Sequence, residues 1–231
     1  MKKFTTVLLS ALMVVMLPGC ASMNNTGKGA VIGAGGGAAL GAGVGAIFGK
    51  GKGAAIGAAI GSAIGAGTGV LIGKKMDKKA AELEAALKDA QVETVTDVNG
   101  LDAIKVTFES GILFPTNGTT LSAASKTQLK NFATKMADMA DTDITIYGHT
   151  DNTGTAEVNE RISNQRAASV QSYLQSLGIA ASRLKAEGKS FNEPVADNAT
   201  AEGRAQNRRV EIYVSANEKM IQNAEAEANA S

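Results

Sequence analysis

Between Gly29 and Gly73 a glycine stands at every fourth position, at 29, 33, 37, 41, 45, 49, 53, 57, 61, 65, 69 and 73. The intervening residues are chiefly Ala, Val, Ile and Leu, which separates the segment from a flexible Gly/Ser linker. It also carries a repeat of 24 residues: GKGAVIGA at 27–34 returns as GKGAAIGA at 51–58, and FGK at 48–50 as IGK at 72–74. Each copy holds about 20 uncharged, mostly apolar residues, which at ~1.5 Å rise per residue is roughly the hydrocarbon thickness of a bilayer. Lys28, Lys50, Lys52, Lys74 and Lys75 mark the ends and the turn. In water, twelve glycines would cost a helix on the order of 10 kcal/mol relative to alanine. Such helices need a membrane or close backbone-to-backbone packing. A spacing of four exceeds the 3.6-residue period, so the stripe winds right-handed. Three readings stay open: a helical hairpin in or on the membrane, a self-associating zipper, and a spacer.

The N-terminus, MKKFTTVLLSALMVVMLPGC, places Lys2 and Lys3 ahead of an apolar run from Val7 to Leu17. That is the layout of a secretory signal, too short to span as a helix. It ends in Leu17-Pro18-Gly19-Cys20, and Cys20 is the only cysteine, so no internal disulfide can form. Loss of residues 1–19 takes the formal charge from +1 to −1. Neither value gives the field that general nucleic-acid binding needs, and with no Trp there is little to stack on bases.

After Gly73 the composition changes abruptly to KKMDKKAAELEAALKDAQVETV, read as a solvated connector helix over 74–91 with Leu83, Leu87 and Ala90 on one face. From 92 to 215 the pattern is that of one α/β domain, a mixed sheet with helices packed on one side. VETVTDVNGLDAIKVTF alternates around Asn99-Gly100 as a β-hairpin. Ser122 caps a helix that presents Leu129, Phe132, Ala133 and Met136. DITIYG is a strand, the run from Glu157 is a helix ended by Gly178, RLKAEG is a short strand, and NRRVEIYVS is the last strand. Residues 216–231 read as a disordered tail, or a weakly helical one.

Asp151 falls just past the strand ITIYG, in the loop where strand ends of α/β layers meet ligands. In the following helix Asn159, Ser163, Arg166 and Val170 are spaced 4, 3 and 4 apart, sharing a face that continues into Tyr173, Leu174 and Leu177. The apolar end of that face is core, so its polar end points inward, toward Asp151. Arg166 there needs acceptors. Either Asp151 pairs with Arg166 as a loop-closing salt bridge, or both charges await a ligand carrying an ammonium and a carboxylate on one carbon. Glu157 and Glu160 make a paired-acid hydrolase conceivable, but there is no nucleophilic Cys, no His-rich zinc set and no G-x-S-x-G elbow, and the chain is read as a non-enzyme without cofactor or metal. His149, the only histidine, is read as loop architecture.

GHTDNTGTAEVNERISNQRAASVQSYL followed by GRAQNRRVEI resembles the OmpA-like C-terminal peptidoglycan-binding domain, shared with Pal-type lipoproteins and flagellar-motor stator proteins, over about 106–214. The resemblance implies that Asp151 and Arg166 clamp the zwitterionic end of meso-diaminopimelate in the wall's stem peptide. It implies that Asn159 and Arg208 line or shape the pocket, with Thr150 beside Asp151 in the ligand-binding set. Pro115-Thr116-Asn117 depart from the acidic, Phe-rich FDFDS-like run that the family more often shows. Leu17-Pro18-Gly19-Cys20 resembles a lipoprotein cleavage box, which implies an acylated Cys20 as the first residue of a lipid-anchored N-terminus, 20–28, ahead of the zipper at 29–73. By the same resemblance Ala21 favours the outer membrane, facing the periplasm. The whole resembles an OmpA family lipoprotein with a glycine-zipper segment: a non-enzymatic tether between membrane and peptidoglycan. The alternative is that the zipper oligomer acts on the membrane and the wall domain only locates it.

Overall fold

The computed structural model describes residues 64–109, 113–114 and 118–230. The expectations for the signal segment, for Cys20 and for the zipper as far as residue 63 lie outside the described residues. The first described helix, α1 (Ala66–Ala86), runs without a break across the compositional boundary at Gly73-Lys74. Ile72, Met76, Leu83 and Leu87 are spaced 4, 7 and 4 apart and are all buried in the core. The last residues of the zipper segment, from Ala66, and the connector are therefore one helix, and the connector is a core element rather than a solvated one. Gly73, the last glycine of the stripe, lies against the Asp102 carboxylate, and Gly67, which is outside the stripe, lies against Ala228. Among the described residues no helix is long and apolar enough to cross a membrane.

Leu87 ends α1, and the chain enters the hairpin of β1 (Gln91–Thr96) and β2 (Asp102–Glu109). Its turn is closed by Asp97, which accepts from the Asn99 and Leu101 amides, and by Gly100 at φ 75°. Next comes α2 (Ala123–Lys135), capped by Ser122 accepting from the Ser125 amide, then β3 (Thr142–Gly148). Helix α3 (Ala156–Ser176) starts where Thr155 accepts from the Val158 amide and ends before Gly178, at φ 96°. β4 (Leu184–Gly188) and β5 (Arg209–Ala216) complete the expected order, with a short helix between them, α4 (Ala201–Asn207), that the sequence pattern did not predict.

The sheet order is β1-β2-β5-β3-β4, antiparallel except for the β3–β4 pair. Its register stacks the core in rows: Ile104, Val214, Ile144 and Leu184, then Val106, Ile212, Ile146 and Ala186. Helices α1, α2 and α3 contribute Met76, Leu83, Leu129, Phe132, Val170 and Leu174 to the same core, so they cover one face, as the pattern predicts. The third row ends in Gly148 and Gly188, where any Cβ would run into Ser163 and Asn164. Here α3 approaches the sheet most closely. The opposite face is polar, yet Tyr147, His149, Arg209, Glu211 and Tyr213 are buried on it. Arg209 donates to the Glu193 carbonyl, and Lys189 lies over the Tyr147 ring, so the chain after β4 folds over this end of the sheet.

The expected disordered tail is corrected. Asn217 caps a further helix, α5 (Glu218–Asn229), whose Met220 and Ala224 are buried against the domain, with Ala228 against Gly67 of α1. Alanine and glutamate are strong helix formers, and a small-residue face lets two helices lie close.

Candidate functional site

Gly148 ends β3, and the next three residues are all buried although they lie outside regular structure. The His149 amide donates to the Arg209 carbonyl, and the Thr150 amide to that of Ser190. Asp151 then turns the chain: one carboxylate oxygen accepts from the Thr153 amide at 2.8 Å, and the other takes an ion pair from Arg208 Nη1 at 2.6 Å. Burial alone would push this carboxyl up. The Arg208 hydrogen bond and those of Thr153 outweigh it and hold Asp151 below the ordinary carboxylate value. The salt-bridge reading is thereby corrected in its partner: the ion pair of Asp151 is made with Arg208, at the start of β5, not with Arg166. β5 lies directly beside β3, so the two strand ends deliver these charges to one place.

Arg166 comes from α3, on the face expected, with Asn159, Ser163 and Val170 all buried beside it. Its Nε donates to the Gly118 carbonyl at 3.1 Å, and its guanidinium lies 5.3 Å above the Phe114 ring. Burial, then the nearby Arg208, lowers its pKa, and Asp151 works in the opposite sense, which sets all three charges within one electrostatic neighbourhood. Asn159 Nδ2 donates to the Thr153 carbonyl, holding the Asp151 turn against α3. Thr150 Oγ1 is buried with no hydrogen-bond partner. The five residues singled out in the sequence, Thr150, Asp151, Asn159, Arg166 and Arg208, thus gather at one end of the sheet.

Phe114, Gly118, Ser190 and Asn207 support this site and were not read from the sequence as doing so. Asn207 is buried, accepts from the Val195 and Ala196 amides, and donates to Asn198, whose side chain also receives the Asn152 amide. Phe114 had only the signal of any apolar side chain, since its ring is also buried in the core. Ser190 had none: it sits at φ 52°, and sequence does not mark a serine for that region. His149, read as loop architecture, is buried with its Nε2 3.5 Å from Glu211 Oε2. A cleft of about 530 Å³ lies elsewhere, on the polar face of the sheet, lined by Lys88, Glu93, Lys105, Glu109 and Gln206 among others. It contains none of the five, and its mixed charges converge on no point.

Residues 113–208 match the OmpA family, and residues 1–77 match the YMGG-like Gly-zipper. The probable lipoprotein YiaD of Escherichia coli is 38% identical over 133 residues, 57% of this chain and 61% of that protein. The peptidoglycan-binding protein ArfA of Mycobacterium tuberculosis is 41% identical over 112 residues, 48% of this chain and 34% of that one. The chain therefore spans less than two thirds of the length of either relative. The solved structure of the cell wall anchor of the T6SS from Pseudomonas aeruginosa superposes with a TM-score of 0.51 at 32% identity, over 61% of this chain and 96% of that one.

Proposed function

Because residues 113–208 of this chain form an OmpA-family domain, joined to a YMGG-like Gly-zipper segment, we propose that it binds peptidoglycan through the free zwitterionic end of meso-diaminopimelate. The observation that carries this reading is the meeting of a buried, ionised carboxylate and a buried guanidinium from separate elements, Asp151 and Arg166. The guanidinium takes the ligand carboxylate in its planar fork. The Asp151 carboxylate takes the ammonium, and Arg208, about two-fifths exposed, swings aside to make room. Asn159 and Thr150 supply neutral polar contacts around the same carbon. No bond is broken. The acylated Cys20 holds the other end in the outer membrane, so that the chain is a tether facing the periplasm. The relatives described as a lipoprotein and as a peptidoglycan-binding protein support this reading.

The test is a calorimetric titration of the full chain in detergent with meso-diaminopimelate and with lysine, beside Asp151→Ala and Arg166→Ala. Binding of diaminopimelate alone is expected. Each substitution should weaken it by about 30-fold or more, since truncating one partner of a buried charge pair costs about 2–5 kcal/mol. Equal affinity for lysine, or variants that bind as the wild type does, would sink the clamp.

The match over residues 1–77 favours a second reading, a zipper oligomer that acts on the membrane. Gly61→Leu with Gly65→Leu tests it, because nothing lies within 4 Å of a Cβ at Gly65. Loss of membrane association or self-association with diaminopimelate binding intact would assign the primary role to the zipper.

A further inference from the structure

Asp151 sits in a loop and Arg166 on a helix, so their separation is not fixed by either element. We infer that Ser163 and Ser190 are the positioning residues that set it. Ser163 lies between Asn159 and Arg166 on the same buried face of α3 and is itself fully buried. Its Oγ donates to the Glu160 carbonyl at 2.9 Å and accepts from the Ser190 amide at 3.1 Å. The Ser190 carbonyl in turn accepts from the Thr150 amide at 2.9 Å, one residue before Asp151. A hydroxyl on the arginine's helix is thereby connected to the aspartate's loop through a single intervening residue. That residue is buried and is the one non-glycine with positive φ among the described residues, at 52°. A serine holds the left-handed region only where its surroundings enforce it, and such residues gather at ligand sites. In this conformation the Ser190 amide faces Ser163 while its carbonyl faces Thr150.

The rest of the contact is built to the same tolerance. Gly148 and Gly188 leave no room for a Cβ next to Ser163, and the Gly188 amide donates to Asn164 Oδ1 at 2.8 Å. The helix is thus seated on the strand ends on both sides of the serine, and the relay fixes the loop. A ligand with two charges on one carbon requires this, because its ammonium and carboxylate cannot adjust their spacing.

The inference rests on the clamp reading, and two measurements keep them apart. The first needs no ligand: amide exchange by NMR in the full chain in detergent. In Ser163→Ala the Ser190 and Thr150 amides should lose protection by about tenfold or more while Ile146 in β3 keeps its own. Ser190→Val, a β-branched residue forced into the left-handed region, should do the same with Ser163 intact. The second is affinity for meso-diaminopimelate, expected to fall about tenfold in each variant. Ser190→Gly, which reaches the left-handed region without strain, should change it by less than about threefold while Ser163 is intact. Unchanged Thr150 protection in both variants would overturn the proposal. So would unchanged affinity in both Ser163→Ala and Ser190→Val, or a loss of affinity with the Thr150 amide still protected. A wild type that binds no diaminopimelate would remove the clamp reading, and the exchange data alone would then decide the relay.

Discussion

At the scale of single residues the site is a contest for one carboxylate. Asp151 is held ionised by Arg208 and Thr153 against its own burial. Arg208→Ala should therefore raise the Asp151 pKa, as followed by carbon-detected NMR. The stability cost should stay near 0.5–1 kcal/mol, because the arginine is partly solvated. The sign for the wild type is that of a depressed acid: this contribution is fully present above the ordinary carboxylate value and is lost below it, as pH falls through the lowered folded-state value. Asp97, in the hairpin turn, behaves oppositely. Burial pushes its carboxyl up to about 6, against the opposing hydrogen bonds of Leu101 and Asn99. The folded chain then binds a proton there that the unfolded chain has released, and stability falls as pH rises from about 4 to about 6, by at most ~1.4 kcal/mol per pH unit. Asp97→Asn keeps a side-chain oxygen for the turn and should flatten that slope in urea denaturation across this window. An unchanged slope would show that Asp97 is not its source.

At the scale of elements, helix α3 shows what a sequence can disclose. Asn159, Ser163, Arg166 and Val170 announce one buried face by spacing alone, and Thr155 and Gly178 bracket the helix. Helix α1 was hidden by composition, because glycine gives way to lysine at residue 74 while the apolar positions 72, 76, 83 and 87 continue through the change. The stripe is also interrupted by Lys79, which looks solvated in a sequence. It is instead buried, donating to Glu82, to Asp138 and to the carbonyl of Lys135 at the end of α2. Lys79→Met should hold stability within about 1 kcal/mol, since both acids can turn to water, whereas Lys79→Ala should cost about 2–4 kcal/mol through the void it leaves. Thermal melts distinguish the two. For α5 the sequence offered only a disordered or weakly helical tail, because Met220 and Ala224 are too sparse an apolar pattern to declare a packed face. Gly148→Ala belongs to this scale as well: its methyl would press on the Ser163 carbonyl, and overpacking should cost about 1–3 kcal/mol in a urea titration.

At the scale of the whole molecule, the folding unit is larger than the segment that carries the motifs. A fragment begun at residue 92 discards Ile72, Met76, Leu83 and Leu87, each worth about 1.5–3 kcal/mol of burial. Their sum is comparable to the whole stability of a domain this size. Circular dichroism should find 92–217 without a cooperative transition and 64–230 with one; a sharp melt for the shorter fragment would contradict the core role of α1. The unbroken run of α1 from the glycine stripe into that core also has a mechanical consequence. In the tether proposed above, a load along the axis of α1 does not peel contacts away one after another. It loads Ile72, Met76, Lys79, Leu83 and Leu87 together, in shear, with Lys79 riveted to the end of α2 through the Lys135 carbonyl and to Asp138 in the turn that follows. In that proposed tether the helix that leaves the glycine stripe belongs to the same core as the sheet, and residues 64–230 should yield to force as one body.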